Sequence, residues 1–209
     1  MTRIEQLISV YPELEVCAAD IQAAFERLRE CFAQGGKVLT CGNGGSAADA
    51  EHIVGELMKG YLLKRPIPDE IRTRLVSINP QDGDYLARQL QGGLPAISLV
   101  SQTSLLSAIT NDTAADMVYA QQVYVYGRAG DALIGISTSG NARNVIHAMQ
   151  VARALGLHTI GLTGPTGGAL KPLCEVCIRV PAKSTSDIQE RHLPIFHVLC
   201  AMLEEEFFV

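Results

Sequence analysis

The sequence predicts an α/β fold, a three-layer α-β-α sandwich whose parallel sheet is covered by helices on both faces. Two patterns carry this. Short apolar runs alternate with longer stretches of helical periodicity, and several runs end in a glycine-rich turn that opens into the next helix pattern. A third observation is bulk. With 209 residues, 47% of them hydrophobic, the chain fits one domain of ordinary size, with or without a helical arm.

The elements follow in order. Residues 2–10 read as a short helix. Residues 12–34 read as an amphipathic one, because Leu14, Cys17, Ile21, Ala24, Phe25, Leu28 and Phe32 recur at helical spacing. Pro12 suits a first turn, and Gly35 and Gly36 end the pattern. "KVLTC" (37–41) is a first strand, followed by glycines and a helix from about Ser46 to about Tyr61. "AISLV" (96–100) is a second strand and leads into "SLLSAITND". "DALIGIS" (131–137), "HTIGLT" (158–163) and "EVCIRVP" (175–181) follow, the first of them succeeded by a helix through "ARNVIHAMQVARALG". "SDIQERHLPIFHVLCAMLEEEFF" (186–208) is a closing helix. The stretch at about 64–94 breaks the rhythm. Prolines, "QDGD" and "QGG" punctuate two short amphipathic pieces, the pattern of an inserted excursion in a single domain spanning 1–209 with N-terminal helices over about 2–34.

Charge narrows the function classes. A net charge of −5 is unlike the basic stripe of a nucleic-acid binder. No 18-residue apolar run predicts a membrane span. Acids interrupt "MTRIEQLISVYPELE" where a signal peptide needs its apolar stretch, so the expected location is the cytoplasm. The six cysteines are scattered in apolar contexts and are expected to be reduced and packed. "CEVC" (174–177) has CxxC spacing, but it has no second pair and lies in a strand-like run, so packing is the favoured reading.

Two turns are rich in groups that bind anions. "GNGGS" (42–46) and "STSGN" (137–141) each follow a strand and precede a helix, at the carboxyl edge where open α/β sheets take ligands. A helix N-terminus offers unpaired N–H groups and positive dipole, and Gly and Ser let an anion approach. Ser46, Ser137, Thr138 and Ser139 add hydroxyls. The bland alternative is that Gly, Ser and Asn are turn residues. Neither turn is a Walker loop or a G-x-G-x-x-G fingerprint, which points to a small phosphate ester such as a sugar phosphate, not a nucleotide.

His52 and Glu56 are four apart and share a helix face. Gln189, His192 and His197 lie within nine residues on the closing helix, and Gln189 and His197 are about 80° apart around it. Two His, a Glu and a Gln could together bind Zn²⁺, with Gln an uncommon ligand. The alternatives are a solvated face for His52 and Glu56 and a core histidine for His197.

"GKVLTCGNGGSAADAEH" with Glu56, "TND" (110–112), "GDALIGISTSGNARNVI" (130–146), "IGLTGPTGG" (160–168) and "IQERHLPIFHVLC" (188–200) together resemble the sugar isomerase (SIS) domain, and more closely the phosphoheptose isomerases. The resemblance covers nearly the whole chain apart from 64–94. It implies a five-stranded parallel sheet of flavodoxin-like kind and a homotetramer with sites between subunits. It implies interconversion of sedoheptulose 7-phosphate and D-glycero-D-manno-heptose 7-phosphate through an enediol. It implies Zn²⁺ held by His52, Glu56, Gln189 and His197, with Glu56 as base and His197 as acid/base. Asn43, Gly44, Gly45, Ser46, Asn111, Asp112, Ser137, Thr138 and Ser139, with Glu56 and Gln189, are then the residues touching substrate. The implied partners are a sugar phosphate and copies of the chain, with no nucleic acid and no membrane. The same domain also occurs in sugar-phosphate sensors and in a relative that binds the replication initiator DnaA, so a non-catalytic regulator is the alternative function; the retained zinc set favours catalysis.

The chain departs from the family pattern in places. Ala142 stands where a Ser usually follows "STSGN", and Ser186-Asp187 replaces Asp-Arg. Lys64, Arg65, Arg72 and Arg74 in the excursion read foremost as a solvated charged face.

Overall fold

The computed structural model describes residues 1–209. Strands β1 (Val38–Gly42), β2 (Ala96–Ser98), β3 (Ala132–Ser137), β4 (His158–Thr163) and β5 (Val176–Arg179) form one sheet in the order β2-β1-β3-β4-β5. All pairings are parallel. The helices are α1 (Arg3–Val10), α2 (Ala18–Ala33), α3 (Gly45–Met58), α4 (Asp69–Ile78), α5 (Pro80–Gln89), α6 (Thr103–Asp112), α7 (Val118–Tyr126), α8 (Arg143–Ala154) and α9 (Thr185–Phe208). None is long and apolar enough to cross a membrane.

Every residue of β1 and β3 is buried, which is why both read as continuous apolar runs. Alternation along β3 splits the core in two. Ala132, Ile134 and Ile136 join the side chains of α2, α3 and α9, whereas Leu133 joins those of α6, α7 and α8. Asp131 ties the strand starts together: it accepts from the backbone N–H groups of Lys37 and Arg128 and pairs with the Lys37 ammonium. The strand order turns back between β1 and β3, so the turns after these neighbouring strands open side by side at the sheet's carboxyl edge.

Several boundaries differ from the sequence expectation, each for a local reason. The helix expected over 12–34 starts as a 3₁₀ turn, Pro12–Cys17, because Pro12 follows Tyr11, which offers no side-chain cap. The helix expected to reach Tyr61 stops at Met58, because the N–H groups of Tyr61, Leu62 and Leu63 donate to the Glu204 carboxylate. The run 96–100 pairs with β1 only through Ala96, Ile97 and Ser98.

The excursion is a helical hairpin. Asn79 accepts from the N–H groups of Gln81 and Asp82 and so starts α5, while Gly83 lets α5 approach the Leu75 carbonyl closely. No residue of α4 is buried, and in α5 only Gly83 is. The hairpin's stem is closed by the Gly92 N–H donating to the Arg65 carbonyl (2.6 Å) and by an antiparallel bridge between Pro66 and Gln91. The solvated reading of the four cations holds for Arg72 and Arg74, which pair with Asp84 and Glu70 at the surface. It fails for Arg65, whose side chain is buried in an ion pair with Glu204 at 2.7 Å. A charge run cannot reveal this, since the partner lies 139 residues away.

All six cysteines are free thiols. Cys174 and Cys177 pack half-buried against Gly161, and Cys174 donates to the Leu170 carbonyl.

Candidate functional site

The turn after β1 is built on Gly44, at φ +58° and ψ −123°, a backbone region that side-chain-bearing residues avoid. Gly44 caps α3, and the N–H groups of Gly44 and Gly45 donate to no acceptor in the protein. Asn43 is fixed by reciprocal amide bonds with Asn144 of α8 (2.9 and 2.8 Å). The Tyr119 hydroxyl donates to the Gly42 carbonyl at 2.6 Å and holds the turn from below. A Cβ on Gly44 would meet nothing within 4 Å, so Gly44→Ala should cost backbone strain alone. The expected loss is about 1–2 kcal/mol in an unfolding titration. Unchanged stability would mean that the turn relaxes freely.

Across from it, Ser137 ends β3 and Thr138 and Ser139 follow it into the turn. The two turns face each other over a cleft of about 370 Å³ whose lining includes Asn43, Gly44, Gly45 and Ser46 on one side and the three hydroxyl residues on the other. Gln189, in the first turns of α9, closes one wall and lies directly against Gly45. Ala142 lines the cleft as N-cap of α8 and offers no side-chain hydrogen bond, so the N-termini of α3 and α8 both open here uncapped by side chains. No Lys or Arg lines the cleft. An anion in it would be held by backbone N–H groups, hydroxyls and two helix dipoles.

Further along α3, a second group forms. His52 Nε2 lies 3.1 Å from Glu56 Oε1, and His197 Nε2 of α9 lies 3.4 Å from His52 Nε2. Their donor atoms all fall within 4.8 Å of one another. Glu56 Oε2 is buried and has no hydrogen-bond partner. One proton on His52 Nε2 cannot serve both neighbours, so hydrogen bonding among the three groups does not satisfy them all. Tetrahedral Zn²⁺ with donors at about 2.0–2.1 Å separates two nitrogens by about 3.3 Å, which the two imidazoles match. The residues therefore fit the ion. Gln189 forms no hydrogen bond with the three and stands at the Gly45 end of α3. Asn111 and Asp112 are exposed at the end of α6, bonded to each other and outside the cleft.

Protonation in this group follows from burial. Burial, then the charge of His52, holds the His197 ring below the ordinary imidazole value, against the opposing pull of Glu56. Burial pushes the Asp49 carboxyl up to about 6, with His52 pulling the other way, and Asp49 Oδ2 is buried without a partner. His192, which the sequence groups with Gln189 and His197, is a core histidine: its Nε2 faces the Thr163 carbonyl at 3.3 Å and burial pushes its pKa down to about 4.

Sequence reasoning missed Asp49, Tyr119, Asn144 and Thr185, the last a cleft-lining residue. Asp49 carried a signal, because it stands three residues before His52 and shares its face. Tyr119 and Asn144 carried none, since both act through contacts remote in sequence.

Comparison with known proteins fits this geometry. The family model of the SIS domain matches residues 4–91 and 86–164. A phosphoheptose isomerase of Roseiflexus sp. (strain RS-1) is 42% identical over 195 residues, 93% of this chain and 86% of that protein. The phosphoheptose isomerase of Aneurinibacillus thermoaerophilus is 40% identical over 179 residues, 86% of this chain and 77% of that protein. The solved structure of phosphoheptose isomerase GmhA from Neisseria gonorrhoeae superposes with a TM-score of 0.74 at 35% identity, covering 95% of this chain and 94% of that one. Its sheet order, its paired glycine- and hydroxyl-rich turns and these similarities together place the chain: it belongs to the SIS-domain family of sugar-phosphate isomerases, in the phosphoheptose isomerase group.

Proposed function

We propose that the chain interconverts sedoheptulose 7-phosphate and D-glycero-D-manno-heptose 7-phosphate, or a close sugar-phosphate analogue, through an enediol. One observation carries this reading. A single helix, α3, holds an uncapped N-terminus suited to a phosphate and, from His52 onward, His52 and Glu56, which meet His197 of α9. The seven helical steps from Gly45 to His52 span roughly 10 Å of helix. A ligand anchored by phosphate at one end must be long to present its carbonyl at the other, which favours a seven-carbon chain over a triose.

Asn43, Gly44, Gly45, Ser46, Ser137, Thr138 and Ser139 bind the phosphate end in this reading. Binding there orients the reacting carbons without taking part in the chemistry. Glu56, with one carboxylate oxygen free of partners, takes the proton from one of C1 and C2 and returns it to the other. Burial holds the His197 ring below the ordinary imidazole value, which favours its neutral form; when its Nε2 is not holding the ion it can accept a hydroxyl proton and give it back at the neighbouring oxygen. His52, Glu56 and His197 would hold Zn²⁺; Gln189, expected as a fourth donor, stands at the Gly45 end of α3 and serves the phosphate end in this reading. Bound there, the ion would polarise the carbonyl and stabilise developing negative charge. Asn111 and Asp112, outside this cleft, would reach substrate in a neighbouring copy of a homotetramer with sites between subunits.

The test is incubation of the zinc-loaded protein with sedoheptulose 7-phosphate in D₂O. Aldose product carrying deuterium at carbon is expected. Binding without product or exchange would overturn the isomerase reading in favour of a different sugar phosphate or a non-catalytic regulator.

A further inference from the structure

Arg65 and Glu204 are the molecule's one fully buried ion pair, with side-chain exposures of 0% and 1%. Neither belongs to the cleft or the His–Glu cluster, yet their hydrogen bonds lead to it. Arg65 Nε donates to Glu204 Oε1 at 2.7 Å. Its two terminal nitrogens donate to the carbonyls of Leu57 (2.8 Å) and Glu56 (3.1 Å). These carbonyls belong to the last turn of α3, where helix carbonyls lack intrahelical partners and a cation is favoured. Arg65 thus ends α3 and fixes the backbone that carries Glu56. Phe208 covers the guanidinium from one side, its ring centroid 4.6 Å from Cζ.

Glu204 acts on the opposite partner. It accepts from the N–H groups of Tyr61 (2.8 Å), Leu62 (2.7 Å) and Leu63 (3.1 Å). Tyr61 stacks on His197 at 5.6 Å between centroids, with 28° between the planes. One ion pair therefore grips Glu56 by its carbonyl and His197 through the ring packed on it. A pair that only filled the core would have no need of a planar fork reaching two adjacent carbonyls.

We propose that Arg65, held by Glu204, is a positioning residue that fixes Glu56 and, through Tyr61, His197 in their converging geometry. The proposal rests on the catalytic reading of Glu56 and His197 given above. It also assigns a role to the stem of the helical hairpin, since Arg65 and Gly92 close that stem. Disturbance at the hairpin's base is transmitted to the end of α3.

Two variants test this. Arg65→Lys keeps the charge opposite Glu204 but loses the fork, because an ammonium cannot bond both carbonyls and the carboxylate in that geometry. Arg65→Met with Glu204→Gln removes both charges together, leaving neither buried and unpaired. For each, kcat, KM, the Zn²⁺ dissociation constant by chelator competition, and the unfolding midpoint are measured. The expected result is a folded protein with kcat lower by about 10–100-fold, KM little changed and Zn²⁺ bound about tenfold more weakly, the scale seen when an outer partner of a ligand is lost. Arg74→Ala, which removes a cation from the exposed hairpin, should match the wild type. Wild-type kcat and Zn²⁺ affinity in either folded variant would overturn the proposal. Failure of the wild type itself to turn over the sugar phosphate would overturn the functional reading instead, and the Zn²⁺ comparison would still decide the role of Arg65.

Discussion

Glu56→Gln lowers turnover by about 10²–10⁴-fold, the range for losing a positioned general base, and leaves sugar-phosphate binding largely intact. The binding groups lie at the other end of α3, in the turns after β1 and β3, and do not touch Glu56. The substitution is gentle on the fold. Glu56 Oε2 has no hydrogen-bond partner to lose, and a neutral amide is easier to bury than a carboxylate. Glutamine keeps an oxygen toward His52, but a neutral one, so zinc content is measured alongside the rate and the comparison made at equal occupancy. Deuterium exchange into substrate should disappear together with product formation, because both need the same proton transfer. Turnover within tenfold of wild type at equal occupancy would remove Glu56 from the role of base.

What the sequence made legible was what is local. "VLTC" and "ALIGIS" declare buried strands because every residue in them is apolar or small, and parallel strands covered on both faces demand that. The turns after them are legible because Gly44 must adopt a backbone that other residues avoid. His52 and Glu56 are legible as a pair because four residues make one helical turn. Their meeting with His197 is not, because it depends on how α9 lies against α3. The motif resemblance supplied that link where periodicity could not. Arg65 shows the converse. In "LLKRPIP" it looks like any surface cation, and only the folded chain brings Glu204 beneath it. The hairpin is a third case. Its two amphipathic pieces are recognisable, but they leave Ile71, Ile78, Tyr85, Leu86 and Leu90 exposed, so the pattern alone does not say what they cover.

The protein should lose stability as pH falls from about 6.5 toward 4; the two largest shifts, at His192 and Asp49, act in opposite senses, and the smaller depression of His197 adds to the loss. His192 stays neutral in the fold, its pKa pushed from 6.5 down to about 4 by burial. Between those values the unfolded chain binds the extra proton, so this contribution is complete above about 6.5 and is lost on acidification, by about 3 kcal/mol in full. Asp49 works the other way. Its carboxyl, pushed up from 3.8 to about 6, holds a proton that the unfolded chain releases, so acidification stabilises the fold. Asp49 is only partly buried, and solvent screening reduces that gain to about 1–2 kcal/mol. The fully buried histidine therefore wins, and a net loss of about 1–2 kcal/mol is expected in urea titrations of the metal-free protein. Glu204 does not interfere. Burial pushes its carboxyl up, but the N–H groups of Tyr61 and Leu62 and the Arg65 guanidinium outweigh that and hold it below its ordinary 4.5, so its contribution fails only at lower pH. The variants separate the two terms. Asp49→Asn should steepen the acid loss, and His192→Gln should flatten or reverse it even if the variant is less stable throughout. An unchanged slope in His192→Gln would show that the ring is not the group that titrates.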